Sequence, residues 1–261
     1  MSRHAAIGFF DSGVGGLSVL RHALTRVAGI PLVYVADSAY APYGAREPAE
    51  VIARCRTISH FLNEQGAAAI VVACNTATAI AVETLRAEFD LPIVGMEPAL
   101  KPAARLTRSG KVAVLATRGT LSSQRYARLL SDHGLQIEVH DRICHHWVDA
   151  VEEGELDNPR VFDLVNAELQ PLQRVGVDTY VLGCTHFPFL VSTIRRVVGD
   201  SVNLVDPGPA VVDQLCRRLD LGDAADTPSS VRTYTSGQPD HLQRFATTFM
   251  GLRAESSVLP I

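Results

Sequence analysis

Four short segments of this chain each carry an apolar run into chemically able side chains. They are Phe10-Asp11-Ser12, Ala73-Cys74-Asn75-Thr76, Ala116-Thr117 with Thr120, and Gly183-Cys184-Thr185-His186. In open parallel sheets, ligands sit at the carboxyl ends of strands. If the four runs are strands of two facing sheets, two thiols, a carboxylate and an imidazole converge on one cleft. That set suits proton transfer. Cys74 and Cys184 are each followed by hydrogen-bonding residues at an expected helix N-terminus, a setting that lowers a thiol pKa. Lowering it by ~1.5 units takes roughly 2 kcal/mol of anion stabilisation, and a helix N-terminus supplies about 0.3–1 kcal/mol, up to ~2 when partly buried. Asp11 acts the other way, because a neighbouring carboxylate raises a thiol pKa. Its sensible role is to accept the proton of Cys74. His186 can do the same for Cys184, or favour its anion as an imidazolium.

Plainer readings stand beside these. Asp11 can simply cap the helix next to it, and His186 can be a packed structural histidine. Cys55 and Cys216 lie in helical patterns and read as inert buried thiols, so Cys55→Ser is expected to be nearly silent. His145 and His146, beside Cys144, read as surface or rim residues. Gly13-Val14-Gly15-Gly16 hints at a phosphate loop, but the dinucleotide pattern needs glycine where Ser18 stands, and Asp11 would repel a pyrophosphate. Cys74, Cys184 and His186 are plausible zinc ligands by type, yet no paired local spacing supports a metal site. A disulfide oxidoreductase would show CxxC, which is absent.

Periodicity indicates the elements that must position these residues. Short β-branched runs alternate with longer helical patterns, as in a parallel α/β sheet. Strands are expected at 5–10, 32–36, 69–73, 111–116, 136–140, 179–182, 202–205 and 231–234. Helices are expected at 17–27, 49–64, 77–89, 121–133, 162–174, 190–198 and 210–219, with Pro48 suited to a first helical turn. Pro92, Pro98 and Pro102 with Gly95, and then Asp206-Pro207-Gly208-Pro209, mark crossings between two αβ series. A weak internal repeat relates Val71–Thr76 to Val181–His186, its two cysteines 110 residues apart, about the length of one domain.

Composition narrows the function. The 261 residues are 47% hydrophobic and 20% charged, an ordinary globular balance that excludes disordered, collagenous and coiled-coil classes. A net charge of −4 offers no field to hold nucleic acid or an anionic membrane. The apolar run after Met1-Ser2-Arg3-His4 stops at Asp11, too short for a signal peptide, and Gly66 to Val82 is broken by Asn75 and Thr76 and does not read as a membrane span. Five cysteines without paired spacing suit a reduced, cytoplasmic setting. Only two of the 24 basic residues are lysines, Lys101 and Lys111. Neither is placed as a Schiff-base anchor, which argues against a pyridoxal-phosphate enzyme.

The motifs resemble those of bacterial glutamate racemases, of the aspartate/glutamate racemase superfamily. The resemblance rests on Phe10–Leu20, Tyr34–Asp37 with Pro42-Tyr43-Gly44, Ala73–Ala79, Leu115–Thr120, Leu182–Pro188 and Val205-Asp206-Pro207. It covers residues from about 7 to 210; the last fifty carry little signal. It implies two pseudo-symmetric three-layer α/β domains with mostly parallel sheets, residues 1–98 with 208–261 and an inserted 99–207, with the active site in the cleft between them. It implies a cofactor-independent racemase, without metal, that interconverts L- and D-glutamate and supplies the D-isomer for peptidoglycan. By the same resemblance Cys74 and Cys184 are the two acid/base groups, assisted by Asp11 and His186. Asp11, Ser12, Tyr43, Gly44, Asn75, Thr76, Thr117, Thr120, Glu152, Thr185 and His186 contact the substrate, with Glu153 a competitor for the place of Glu152. A homodimer is typical of such proteins. Ile143-Cys144-His145-His146 departs from the Cys-Pro pair of many relatives and puts that loop, not the thiols, in question.

Overall fold

Ala6–Asp11 (β1) is buried at all six positions, as a strand covered on both faces requires. The computed structural model describes residues 5–27, 29–134, 136–222 and 228–261. Beside β1 lie Leu32–Ala36 (β2) and Ala67–Val72 (β3), with Ile93–Gly95 (β4) beyond. With Val231–Thr235 (β9) and Ser256–Val258 (β10) they form a six-stranded sheet in the order β10-β9-β2-β1-β3-β4. A four-stranded sheet, in the order β6-β5-β7-β8, is built from Lys111–Ala116 (β5), Glu138–Ile143 (β6), Thr179–Leu182 (β7) and Asn203–Val205 (β8). Every strand pairing is parallel.

Helices make the crossovers that parallel pairing demands. In the larger sheet they are Leu17–Arg26 (α1), Pro48–Glu64 (α2) and Asn75–Glu88 (α3); Leu100–Leu106 (α4) leads into the smaller one. Next come Arg118–Leu121 (α5), Gln124–His133 (α6), Trp147–Glu152 (α7), Pro159–Arg174 (α8) and Val191–Val198 (α9), then Gly208–Leu219 (α10) and Pro239–Met250 (α11) on return. Alternation sorts β1 and β2 into two cores: Phe10, Val33 and Val35 pack with α2 and α3, whereas Ile7, Phe9 and Tyr34 pack with α1 and α10. This second core runs on without a break into Ala113, Leu115, Tyr180 and Leu182 of the smaller sheet. One apolar mass therefore ties the two sheets together. Each fully buried large side chain contributes about 1.5–3 kcal/mol.

The strand and helix pattern read from the sequence is present, with informative differences. β4 and β10 have three residues each, too few to show a period. The segment around Pro102 forms α4, where proline occupies the third helical position and needs no intrahelical N–H donor. The helix expected at 121–133 is two: Ser123 breaks it and caps α6, accepting the Tyr126 amide at 3.1 Å. β6 lies further along than expected, and α7 and α11 were not anticipated. Pro48 does open α2. The first Pro/Gly cluster lies where the chain passes between sheets, and the second follows β8 and runs into the first turn of α10. Among the described residues, no helix is long and apolar enough to cross a membrane.

Candidate active site

The carboxyl ends of β1 and β3 face those of β5 and β7 across a narrow cleft. About 280 Å³ of space, counting its mouth, is lined by Ser12, Pro42, Tyr43, Gly44, Cys74, Asn75, Thr76, Thr117, Thr120, Val148, Cys184, Thr185 and His186. Most of that space is the open mouth; the part enclosed between the side chains is about 10 Å³, room for about one water. Eleven of these residues were anticipated from the sequence; Pro42 and Val148 were not, since an apolar wall carries no chemical signature. Asp11 and Glu152, expected at the substrate, stand one layer behind.

Cys74 comes just after β3 and is the N-cap of α3, its sulfur accepting the Ala77 amide at 3.4 Å. Its thiol reaches Ser12 Oγ at 3.9 Å. The expected depressed pKa is not found here. Burial, then the charge of Asp11, hold the Cys74 thiol well above its usual range, and the Ala77 amide opposes them without prevailing. Desolvation disfavours the anion more than one helix terminus supports it.

Cys184 corrects a second expectation. The chain beyond it enters a 3₁₀ turn, Phe187–Leu190, and α9 begins only at Val191. Pro188 lies inside that turn, so no helix N-terminus faces this sulfur. Its partner is His186, whose Nδ1 lies 3.6 Å away.

His186 is fully buried, and Nε2 meets Glu152 Oε1 at 2.6 Å. Burial alone would lower its pKa, but the hydrogen bonds and charges of Cys184 and Glu152 hold it well above the usual histidine value. For Glu152, burial raises the pKa, yet His186 and the Val14 amide, 2.8 Å from Oε1, bring it below the usual carboxylate range. Glu153 points outward to Arg160 at 3.0 Å. The two adjacent glutamates are thus cleanly separated.

Asp11 is fully buried at the end of β1. Its Oδ2 accepts the Gly16 amide at 2.6 Å and the Thr185 hydroxyl at 3.2 Å; it is not the cap of α1, whose N-cap is Gly16, with no side-chain cap bond. Among the described residues Oδ1 has no hydrogen-bond partner, and burial raises the carboxyl pKa. Three threonine hydroxyls close another side of the cleft: Thr76 lies 2.9 Å from Thr117, and Thr120 lies 3.2 Å from Thr117. Asn75 donates to the Met96 carbonyl at 3.4 Å, and its buried Oδ1 has no hydrogen-bond partner among the described residues. Tyr43 is fixed from behind, donating at 2.6 Å to Asp37, which Arg54 grips at 3.0 and 2.8 Å. Gly44 lies against Gly119, where a side chain would come within 3.3 Å of the Gly44 Cα.

Of the remaining thiols, Cys55 and Cys216 are buried away from the cleft, and Cys144 is buried with its sulfur 3.7 Å from the Arg142 carbonyl. His145 and His146 are exposed, as expected.

The Asp/Glu/Hydantoin racemase family matches residues 13–215. A glutamate racemase of Pseudomonas putida is 46% identical over 245 residues, covering 93% of this chain and 92% of its own. A glutamate racemase isoform from Bacillus anthracis superposes with a TM-score of 0.89 at 30% identity, covering 99% of this chain and 98% of that one. The Escherichia coli glutamate racemase, solved with L-glutamate and an activator, gives 0.84 at 31% identity, with 97% of each chain covered.

Proposed function

The chain belongs to the Asp/Glu/hydantoin racemase family, and we propose that it interconverts L- and D-glutamate by a cofactor-independent exchange of protons between two facing thiols. The observation that carries this reading is the cleft itself: Cys74 follows β3 of one sheet, Cys184 follows β7 of the other, and both line the same narrow space.

Inversion at a carbon acid needs a base on one face and an acid on the other, since a single group would have to cross the substrate plane. Cys74, kept protonated by burial and Asp11, is the resting acid. Cys184 stands against His186, whose pKa is held well above the usual histidine value by Cys184 itself and by Glu152, so charge developing on the sulfur is met by an imidazole that favours its cation. The roles reverse for the other enantiomer. Removing the α-proton leaves a dianionic carboxylate, and donors aimed at that charge lower the barrier. Thr76, Thr117 and Thr120 offer three hydroxyls, and Ser12, Tyr43, Gly44 and Thr185 complete the wall. The unpartnered Asn75 Oδ1 is an acceptor suited to the substrate ammonium. Asp11 and Glu152 act through Thr185 and His186. Closing such a cleft excludes water, which suits proton abstraction.

In this reading residues 1–98 with 208–261 form one domain and 99–207 an inserted second. The support is that the chain leaves the larger sheet after β4 and rejoins it at β9. The enzyme works in the cytoplasm, as a homodimer, supplying D-glutamate for peptidoglycan synthesis. The test is solvent-deuterium uptake at Cα with circular dichroism of L-glutamate decaying to zero, without added pyridoxal phosphate or metal. Glutamate that binds without exchange would make this a binding protein. Aspartate turning over faster than glutamate would move it to another substrate.

A further inference from the structure

The Gly13-Val14-Gly15-Gly16 loop and Ser18 look like a flawed nucleotide loop in the sequence. In the structure, each of these residues faces a member of the acid/base set. A side chain at Gly13 would come within 1.8 Å of Glu152 Oε1, and one at Gly15 within 2.2 Å of His186 Nδ1 and 2.6 Å of Thr185 Oγ1. At Gly16 it would reach within 2.7 Å of Asp11 Cβ. None of the three has a positive φ, so glycine is required there by space, not by backbone conformation. Between them the Val14 amide donates to Glu152 at 2.8 Å. Tyr34 holds the loop from beneath, donating to the Gly13 carbonyl at 2.6 Å.

Ser18 completes the arrangement. It is buried in the first turn of α1, and its hydroxyl donates at 2.8 Å to the carbonyl of Thr185, 167 residues away in sequence. Thr185 is thereby gripped from the larger sheet at two points, carbonyl by Ser18 and hydroxyl by Asp11 at 3.2 Å. The peptide so fixed lies between Cys184 and His186. Serine at this position supplies a hydroxyl that the glycine of a dinucleotide loop would lack.

We infer that the glycine loop is a cradle for Glu152, His186 and Asp11, and that Ser18 is a positioning residue acting through Thr185 on the Cys184–His186 pair. This rests on the racemase reading above. Displacing that pair by a fraction of an ångström slows the transfers made by Cys184 while leaving those made by Cys74, since small misplacements of reacting groups are costly.

The experiment compares Ser18→Ala and Ser18→Thr with wild type, using L- and D-glutamate deuterated at Cα. Ser18→Ala is expected to lower kcat about tenfold, the scale of one lost buried hydrogen bond. It should enlarge the isotope effect for the enantiomer whose α-hydrogen faces Cys184 and not for its mirror image. It should also shift the His186 titration seen by NMR, and Ser18→Thr should recover these properties. Wild-type kcat, isotope effects and His186 titration in Ser18→Ala would overturn the proposal. So would an equal rise of the isotope effect with both enantiomers accompanied by a lowered Tm, which marks general loosening. If the wild-type protein fails to racemise glutamate, the racemase reading falls. The His186 titration, which needs no turnover, then decides the role of Ser18 alone.

Discussion

Glu152 and His186 meet at 2.6 Å, carboxylate to imidazole, although they come from α7 and from the turn after β7. The contact makes one buried ion pair out of two residues that the sequence offers as separate substrate ligands. Its consequences are measurable.

The first concerns pH. His186 has a folded pKa above its ordinary 6.5, so its contribution to stability is present below that value and is lost as pH rises through the folded one. Glu152 lies below its ordinary 4.5, so its contribution is present above that value and is lost as pH falls through the folded one. The pair therefore stabilises most between these two ordinary values. Glu152→Gln should lower the urea midpoint most in that window, with the deficit shrinking at alkaline pH. A deficit independent of pH would show that the pair is not ionised.

The thiols come next. Replacing either Cys74 or Cys184 with serine should reduce racemisation by about 10²–10⁴-fold, the usual worth of a positioned acid or base, read from the decay of the circular dichroism of L-glutamate. Unimpaired turnover in either variant would remove that thiol from the mechanism.

Cys55→Ser is the contrasting case. Cys55 is fully buried in the core beneath α2, and burial pushes its thiol pKa up. Turnover should stay near wild type, but a hydroxyl placed there should cost about 1–3 kcal/mol of stability, visible as a lower Tm. The substitution is silent for activity, not for the fold.

Thr117→Val deletes one hydroxyl of the threonine trio while keeping side-chain volume. If the trio binds a carboxylate, KM for glutamate should rise about 10- to 100-fold, since hydrogen bonds to charged groups contribute about 1.5–3 kcal/mol. A change in kcat alone would instead place Thr117 at the transition state.

Arg54→Met leaves the fully buried Asp37 without its cation. Breaking a buried pair from one side costs about 3–5 kcal/mol. Asp37→Asn added to Arg54→Met should restore part of that loss, and urea unfolding of the two variants is the check. Additive losses would mean that the pair is not coupled.

Much of the fold was legible because buried parallel strands write themselves as apolar runs: β1, β2, β5 and β7 stand where those runs stand. The two thiols were legible because each closes such a run. Three things were not. Cys74 and Cys184 share a local pattern, yet only Cys74 caps a helix, because Phe187-Pro188-Phe189-Leu190 settles into a 3₁₀ turn. Glu152 and Glu153 are indistinguishable as neighbours, and only the rotation of α7 turns one toward His186 and the other toward Arg160. The glycine loop resembled a phosphate site until Glu152 and His186 were found filling the space above it.

What the amino-acid order settled alone was which side chains end the strands, because hydrophobic periodicity and chain reversal are local properties. What only the tertiary structure decided was how those side chains behave. The thiol of Cys74 is held protonated by burial and by Asp11, and the imidazole of His186 is held well above its usual pKa, against its burial, by Cys184 and by Glu152 from a distant segment. Desolvation and Coulomb energy depend on distances through space, and no stretch of sequence contains them.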